Sequence, residues 1–229
     1  MRNHFKTGLY FAVLALGIAA NQSYAADKFP AESPEGLKLQ PKSKASAVYL
    51  REGVSFAEYD KVTILECYVA FRKNWQREQN RYDPSRVRDS DVLRIKTDLA
   101  QLFKEVFIKE LTKRGQTVVA EPGTGVLILR PALVNLDAYA PDTLSASRSW
   151  SVASDAGHAT LFLEVYDGVS SELLARVFDS EIAGQESFAT ARTRATNRAD
   201  AEQMLAHWAV GLGTYLENAR AAGAKPAAR

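Results

Sequence analysis

Apolar residues recur along this chain with two different periods, and each change of period marks an element. In "KVTILECYVAF", Lys61 to Phe71, Val62 and Ile64 fall on one side of an alternating backbone and Leu65, Cys67 and Val69 on the other. That pattern predicts one strand with both faces covered. In "DVLRIKTDLAQLFKEVFIKELTKRG", Asp91 to Gly115, the period lengthens: Val92, Ile95, Leu99, Leu102, Phe103, Val106, Phe107 and Leu111 are spaced by three and four. This is the strongest local signal in the chain and predicts an amphipathic helix. Asp89 or Ser90 is placed to cap its start, Lys113 and Arg114 suit its negative end, and Gly115 is placed for a left-handed stop.

Alternation then returns. "TVVA" (Thr117 to Ala120) and the aliphatic run from Gly125 to Ala138 predict strands, with Pro131 demanding an edge position or a bulge because it offers no N–H to a ladder. "GHATLFLEVYD" sets Ala159, Leu161, Leu163 and Val165 against His158, Thr160, Phe162, Glu164 and Tyr166, "DGVSSE" is turn sequence, and "LLARVFDSEIAG" runs back. Together they predict a hairpin. A last helix, about Asp200 to Arg220, carries Met204, Leu205, Trp208, Leu212, Tyr215 and Leu216 along one stripe. Gly211 and Gly213 within it mark expected close packing on the sheet. This order predicts an α+β fold: a mixed, mostly antiparallel sheet with two main helices packed on it.

The ends lack such periodicity. Residues 1–25 have Arg2 and Lys6 before a short apolar core and Ser23-Tyr24-Ala25 at its end, the layout of a secretory signal peptide cleaved before Ala26. Residues 26–46, with Pro30, Pro34 and Pro41 among Lys, Ser and Glu, are expected to form a flexible tether. A single domain is expected over 47–220 and a disordered tail over 221–229.

Charge sharpens the picture. Of 29 Lys and Arg the signal segment holds two, leaving 29 − 2 = 27 basic residues against 27 acidic ones. A neutral exported chain lacks the basic field of a nucleic-acid binder, and no membrane-spanning segment is expected once the signal is removed. The one cysteine, Cys67, lies inside a strand pattern and is expected to be a core residue. No cysteine follows the cleavage site, so a soluble periplasmic protein without a lipid anchor is expected.

Catalytic and cofactor motifs are not found. Gly123 and Gly125 lead into a strand and not into the helix N-terminus a phosphate loop needs, so both are read as turn glycines supplying positive φ. His158 and His207 stand without a second ligand at metal-binding spacing, and no serine sits in a nucleophile elbow. Glu164, Asp179 and Glu181 are carboxylates on adjacent strands, read as outward-facing acids. No catalytic, metal or cofactor residue is assigned.

One segment carries more charge than folding requires. "RKNWQREQNRYDPSRVR", Arg72 to Arg88, holds Arg72, Lys73, Arg77, Arg81, Arg86 and Arg88 against Glu78 and Asp83. It is expected to be a long loop, and Arg72, Lys73, Trp75, Arg77, Arg81 and Tyr82 are its candidate partner-binding residues. Guanidinium groups suit phosphate and carboxylate, while Trp and Tyr suit an interface.

The pieces "FAEYDKVTI" (Phe56 to Ile64), the helix before Gly115, "EPGTGVLILRPALVNLDAY" and "GHATLFLEVYDGVSSELLARVFD" resemble, in order and spacing, domain-of-unknown-function family 3313. These are exported bacterial proteins often described as lipoproteins. The resemblance spans about Tyr49 to Arg220 and implies no known reaction, so no catalytic residue follows from it. The chain departs from the family in lacking the lipobox cysteine and in carrying His158 where an acidic or small residue is expected. The expected function is that of a non-catalytic envelope protein binding an anionic envelope component or another envelope protein. The alternatives are a periplasmic hydrolase using scattered carboxylates and a small-ligand carrier.

Overall fold

The computed structural model describes residues 29–82, 86–138, 152–153, 157–183, 190–191 and 194–223. The expected signal peptide and residues 224–229 of the expected tail lie outside them. Among the described residues, strands and helices run β1 (Lys38–Leu39), β2 (Ala47–Leu50), β3 (Lys61–Ile64), β4 (Tyr68–Phe71), α1 (Trp75–Tyr82), α2 (Asp89–Lys113), β5 (Thr117–Val118), β6 (Val126–Ala138), β7 (Val152–Ala153), β8 (Gly157–Asp167), β9 (Leu173–Ala183), β10 (Thr190–Ala191) and α3 (Arg194–Gly223).

One sheet organises the molecule, in the order β1-β2-β9-β8-β6-β3-β5, with β4 also paired to β6. The β1–β2, β2–β9, β8–β9 and β6–β8 pairs are antiparallel, and β6 runs parallel to β3 and β4. The fold is therefore α+β with a mixed, mostly antiparallel sheet, as the periodicity predicts, and α2 and α3 are its two main helices. Ala159, Leu161, Leu163 and Val165 of β8 all point into the main core, where Phe103, Phe107 and Leu111 of α2 and Leu205 and Leu216 of α3 are buried against them. Each such Leu or Phe contributes about 1.5–3 kcal/mol of transfer free energy.

Pro131 corrects two expectations together. It lies in an interior strand and not at an edge, paired to Leu163 of β8 on one side. On its other side the expected single strand Lys61–Phe71 is broken: β3 pairs as far as Leu129 and β4 begins opposite Ala132. Leu129 gives its carbonyl to the Leu65 N–H on that side. Pro131, two residues on, turns its nitrogen the same way, into the break, so the missing N–H leaves no acceptor stranded.

Helix ends show similar adjustments. The cap of α2 is Arg88 and not Asp89 or Ser90; the Asp91 carboxylate accepts from the Arg88 N–H at 3.0 Å. Gly115 does take the left-handed conformation after α2. Gly213 packs against α2 and not the sheet, since a Cβ there would sit 2.5 Å from Cδ of Arg114, whereas Gly211 faces open space. The junction of both helix ends with β3 is held by Arg220, which donates to the Arg114 carbonyl at 2.9 Å and to that of Tyr59 at 3.4 Å.

The expected tether is also corrected. From Phe29 onward it is folded: Leu37 is fully buried with Ala47, Tyr49 and Leu173 in a second core on the sheet face opposite the helices. Proline content suggested a linker, but one deeply buried leucine and the β1 pairing hold the segment down.

Candidate functional site

The segment expected as a loop from Arg72 to Arg88 contains a helix, α1, fixed on two sides. Trp75 is buried at 1% exposure, its ring stacked on Phe71 at 3.9 Å, and its Nε1 donates to the Ala138 carbonyl at 2.9 Å. Arg72 is drawn inward, with Nε 2.5 Å from Asp137 and Nη1 2.5 Å from Glu78. On a second side Asn80 brackets Val87, accepting its N–H at 2.6 Å and donating to its carbonyl at 3.0 Å. Gln76, one turn earlier, donates to the same carbonyl and to Asp89. These bonds close the connection between α1 and α2.

What remains on the third side is charge. Lys73, Arg77 and Arg81 are exposed and spaced by four, so Arg77 and Arg81 share a helix face with Lys73 in the turn before it. Arg86 and Arg88 flank buried Val87 and are exposed as well. Among the described residues none of these five cations is ion-paired. Of the candidate set, Arg72 and Trp75 anchor the fold through Arg72 Nε and Nη1 and through Trp75 Nε1. Lys73, Arg77 and Arg81 follow one another at a spacing of four and are exposed, as are Arg86 and Arg88 beyond the helix. The Tyr82 side chain lies outside the described residues.

The other groups weighed from sequence are separated or engaged. Glu164 faces away from the helices and is buried between Arg176, at 2.7 Å, and the Tyr166 hydroxyl, at 2.8 Å. Asp179 and Glu181 face the helix side: Asp179 accepts from the Ser46 backbone and hydroxyl, both at 3.0 Å, and from Trp208 Nε1 at 3.1 Å. Glu181 pairs with the exposed His207, and burial raises its pKa above the ordinary carboxylate value. Burial also pushes the Cys67 thiol up to about 12, which leaves it un-ionised and unreactive at neutral pH. Of the two turn glycines only Gly125 has positive φ, 72°; Gly123 does not. Among the described residues no group of His, Cys, Asp and Glu is arranged to hold a metal, and no helix is long and apolar enough to cross a membrane.

Sequence reasoning missed α1 because its polar residues mask a helical spacing. Trp75, Gln79 and Tyr82 recur at four and three, and Asp83-Pro84 is a stop signal in the sequence. It also missed the ionic cluster around Arg176, whose members Glu35, Arg130, Glu164 and Tyr166 come from three separate stretches of the sequence.

A chain with this sheet, these two helices and no assigned reactive centre belongs to the family described as "Protein of unknown function (DUF3313)", whose model matches residues 30–212. That description names no activity. No curated protein matches the chain. Among solved structures, the PelC dodecamer from Paraburkholderia phytofirmans is similar at a TM-score of 0.39 and 12% identity, over 72% of this chain and 96% of that one. Protein XCC0632 from Xanthomonas campestris is similar at 0.36 and 9%, over 77% and 94%. The hypothetical protein CT253 from Chlamydia trachomatis is similar at 0.35 and 8%, over 71% and 98%. Resemblances at this level are too distant to carry over a site, a ligand or an assembly.

Proposed function

We propose that the protein is a non-catalytic, exported envelope protein whose basic α1 face rests on an anionic, phosphate-bearing lipid surface. Support for export is the expected signal over residues 1–25. The observation that carries the binding reading is the separation of charges within Arg72–Arg88. Arg72 is consumed by Asp137 and Glu78, while Lys73, Arg77, Arg81, Arg86 and Arg88 are left exposed beside one rigidly held helix. A rigid array loses little side-chain and backbone freedom on docking, and guanidinium forks bond phosphate oxygens in pairs.

Each Lys or Arg near an anionic lipid surface contributes about 1 kcal/mol, so neutralising three weakens partitioning by about two orders of magnitude. The test is co-sedimentation with vesicles of mixed anionic and zwitterionic phospholipid. Lys73→Gln/Arg77→Gln/Arg81→Gln should stay in the supernatant at lipid concentrations that pellet the wild type, with an unchanged melting temperature. Equal pelleting of the two proteins would remove the reading. So would wild-type pelleting that is as strong with purely zwitterionic vesicles.

A further inference from the structure

On the sheet face opposite the helices, the segment Phe29–Gln40 places the Glu35 carboxylate on Arg176. Arg176 of β9 is only 13% exposed and lies over the Phe162 ring at 5.5 Å. Its charge is already matched within the sheet, because Nε and Nη2 bond Glu164 of β8 at 3.2 and 2.7 Å. Tyr166 holds Glu164 from one side, and Arg130 of β6 stands 3.4 Å from it with most of its side chain exposed. The sheet therefore presents two guanidinium groups against one carboxylate, a net charge of +1, beside the rings of Phe162, Phe178 and Tyr49.

Glu35 fills this position from 141 residues away. Its two oxygens take the outer fork of Arg176 at 2.8 and 2.9 Å, the bidentate geometry by which arginine holds a free carboxylate. The Ser33 hydroxyl, at 2.9 Å, orients the Glu35 carboxylate within a turn of the segment itself. Either side of Glu35, Phe29 meets Phe178 at 5.7 Å and Leu37 is buried. The segment is held by buried Leu37, by this ion pair, by Phe29 on Phe178, by the Tyr49 hydroxyl on the Pro30 carbonyl at 2.8 Å and by the pairing of β1 with β2.

We propose that this face is a binding site for an acidic, extended segment of a partner protein, and that Phe29–Gln40 is a resident strap which occupies it by mimicry. The pattern recognised is an acidic residue flanked by apolar side chains, with the carboxylate on Arg176 and Arg130 adjacent. Charge complementarity selects the partner: without the strap the site is cationic, and Glu35 neutralises it. The site lies apart from α1 and holds or fails independently of the lipid reading.

The test uses a fluorescent synthetic peptide of residues 29–40, FPAESPEGLKLQ, as the probe, with the purified protein and its Glu35→Ala variant, whose strap lacks the carboxylate. The peptide should bind the variant about tenfold more tightly than it binds the wild type, and a peptide carrying Glu35→Gln should bind about tenfold more weakly than the parent, as expected for loss of a bidentate charged pair. Arg176→Gln placed in the Glu35→Ala protein should abolish binding. Because the peptide substitution leaves the protein unaltered, it decides the matter even if Arg176→Gln does not fold. Binding to neither protein, binding indifferent to the peptide's Glu35, or dimerisation of the wild type by exchange of straps would each overturn the proposal.

Discussion

The Trp75 indole and the Ala138 carbonyl, 63 residues apart in sequence, meet at 2.9 Å and fix the first helix to the end of the long central strand. The contact makes Trp75 a fold residue. Trp75→Ala loses a buried ring, its stacking on Phe71 and this hydrogen bond, and should cost about 3–5 kcal/mol in urea unfolding. Trp75→Phe keeps most of the ring and should cost less than half of that. A Trp75→Ala change without effect on stability would mean that α1 is not fixed in this way.

The turn before β6 separates two glycines that the sequence presents as equals. Gly125 has φ 72°, and a Cβ there would meet the Glu58 carbonyl at 3.4 Å, whereas Gly123 faces open space. Gly125→Val should therefore lower stability by more than about 1 kcal/mol. Gly123→Ala should stay within about 0.5 kcal/mol of the wild type. Thermal melts of the two variants, side by side, check the contrast.

Asp167 and Tyr59 contribute to stability at opposite ends of the pH range. The Asp167 carboxylate accepts from the Ser170 N–H and hydroxyl, from Tyr59 and from the Val169 N–H, which hold its pKa at about 2. A carboxyl depressed in the folded state stabilises above its ordinary value of 3.8, and that contribution is lost as pH falls toward 2. Tyr59 is pushed up to about 12, by burial first and then by Asp167, so its contribution is present below pH 10 and lost as pH rises toward 12. Asp167→Asn should shallow the acid limb of stability against pH, and Tyr59→Phe the alkaline limb. Unfolding curves of unchanged slope in both limbs would contradict these assignments.

Cys67 is 5% exposed with its thiol pushed up to about 12. A buried thiol raised this far stays un-ionised at pH 8, so iodoacetamide should leave the folded protein unlabelled and modify it promptly in denaturant. Mass spectrometry of the two reactions reads the difference directly.

Long periodic segments are legible in the sequence. The apolar stripe of α2 and the alternation of β8 follow from side-chain period, and the turn after Asp167 from its Asp-Gly and serine residues. What was not legible depends on contacts distant in sequence. Nothing local to Lys61–Phe71 says that the strand must break opposite Pro131, a residue 60 positions beyond Phe71. Leu37 reads as an isolated apolar residue among prolines until the sheet offers it Ala47, Tyr49 and Leu173. In the candidate site, charge density was visible but its division was not. Arg72 and Arg77 look alike in the sequence, and only the positions of Asp137 and Glu78 decide that the first is structural and the second exposed.

The most direct test of the lipid-facing role of α1 is the salt dependence of wild-type binding to anionic vesicles. Raising ionic strength from about 50 to about 300 mM shortens the screening length from about 14 to about 6 Å. Binding through Lys73, Arg77, Arg81, Arg86 and Arg88 should weaken steadily across that range, and the slope of log affinity against log salt should flatten in Lys73→Gln/Arg77→Gln/Arg81→Gln. Affinity that is constant across the range, or an identical slope in the variant, would contradict it.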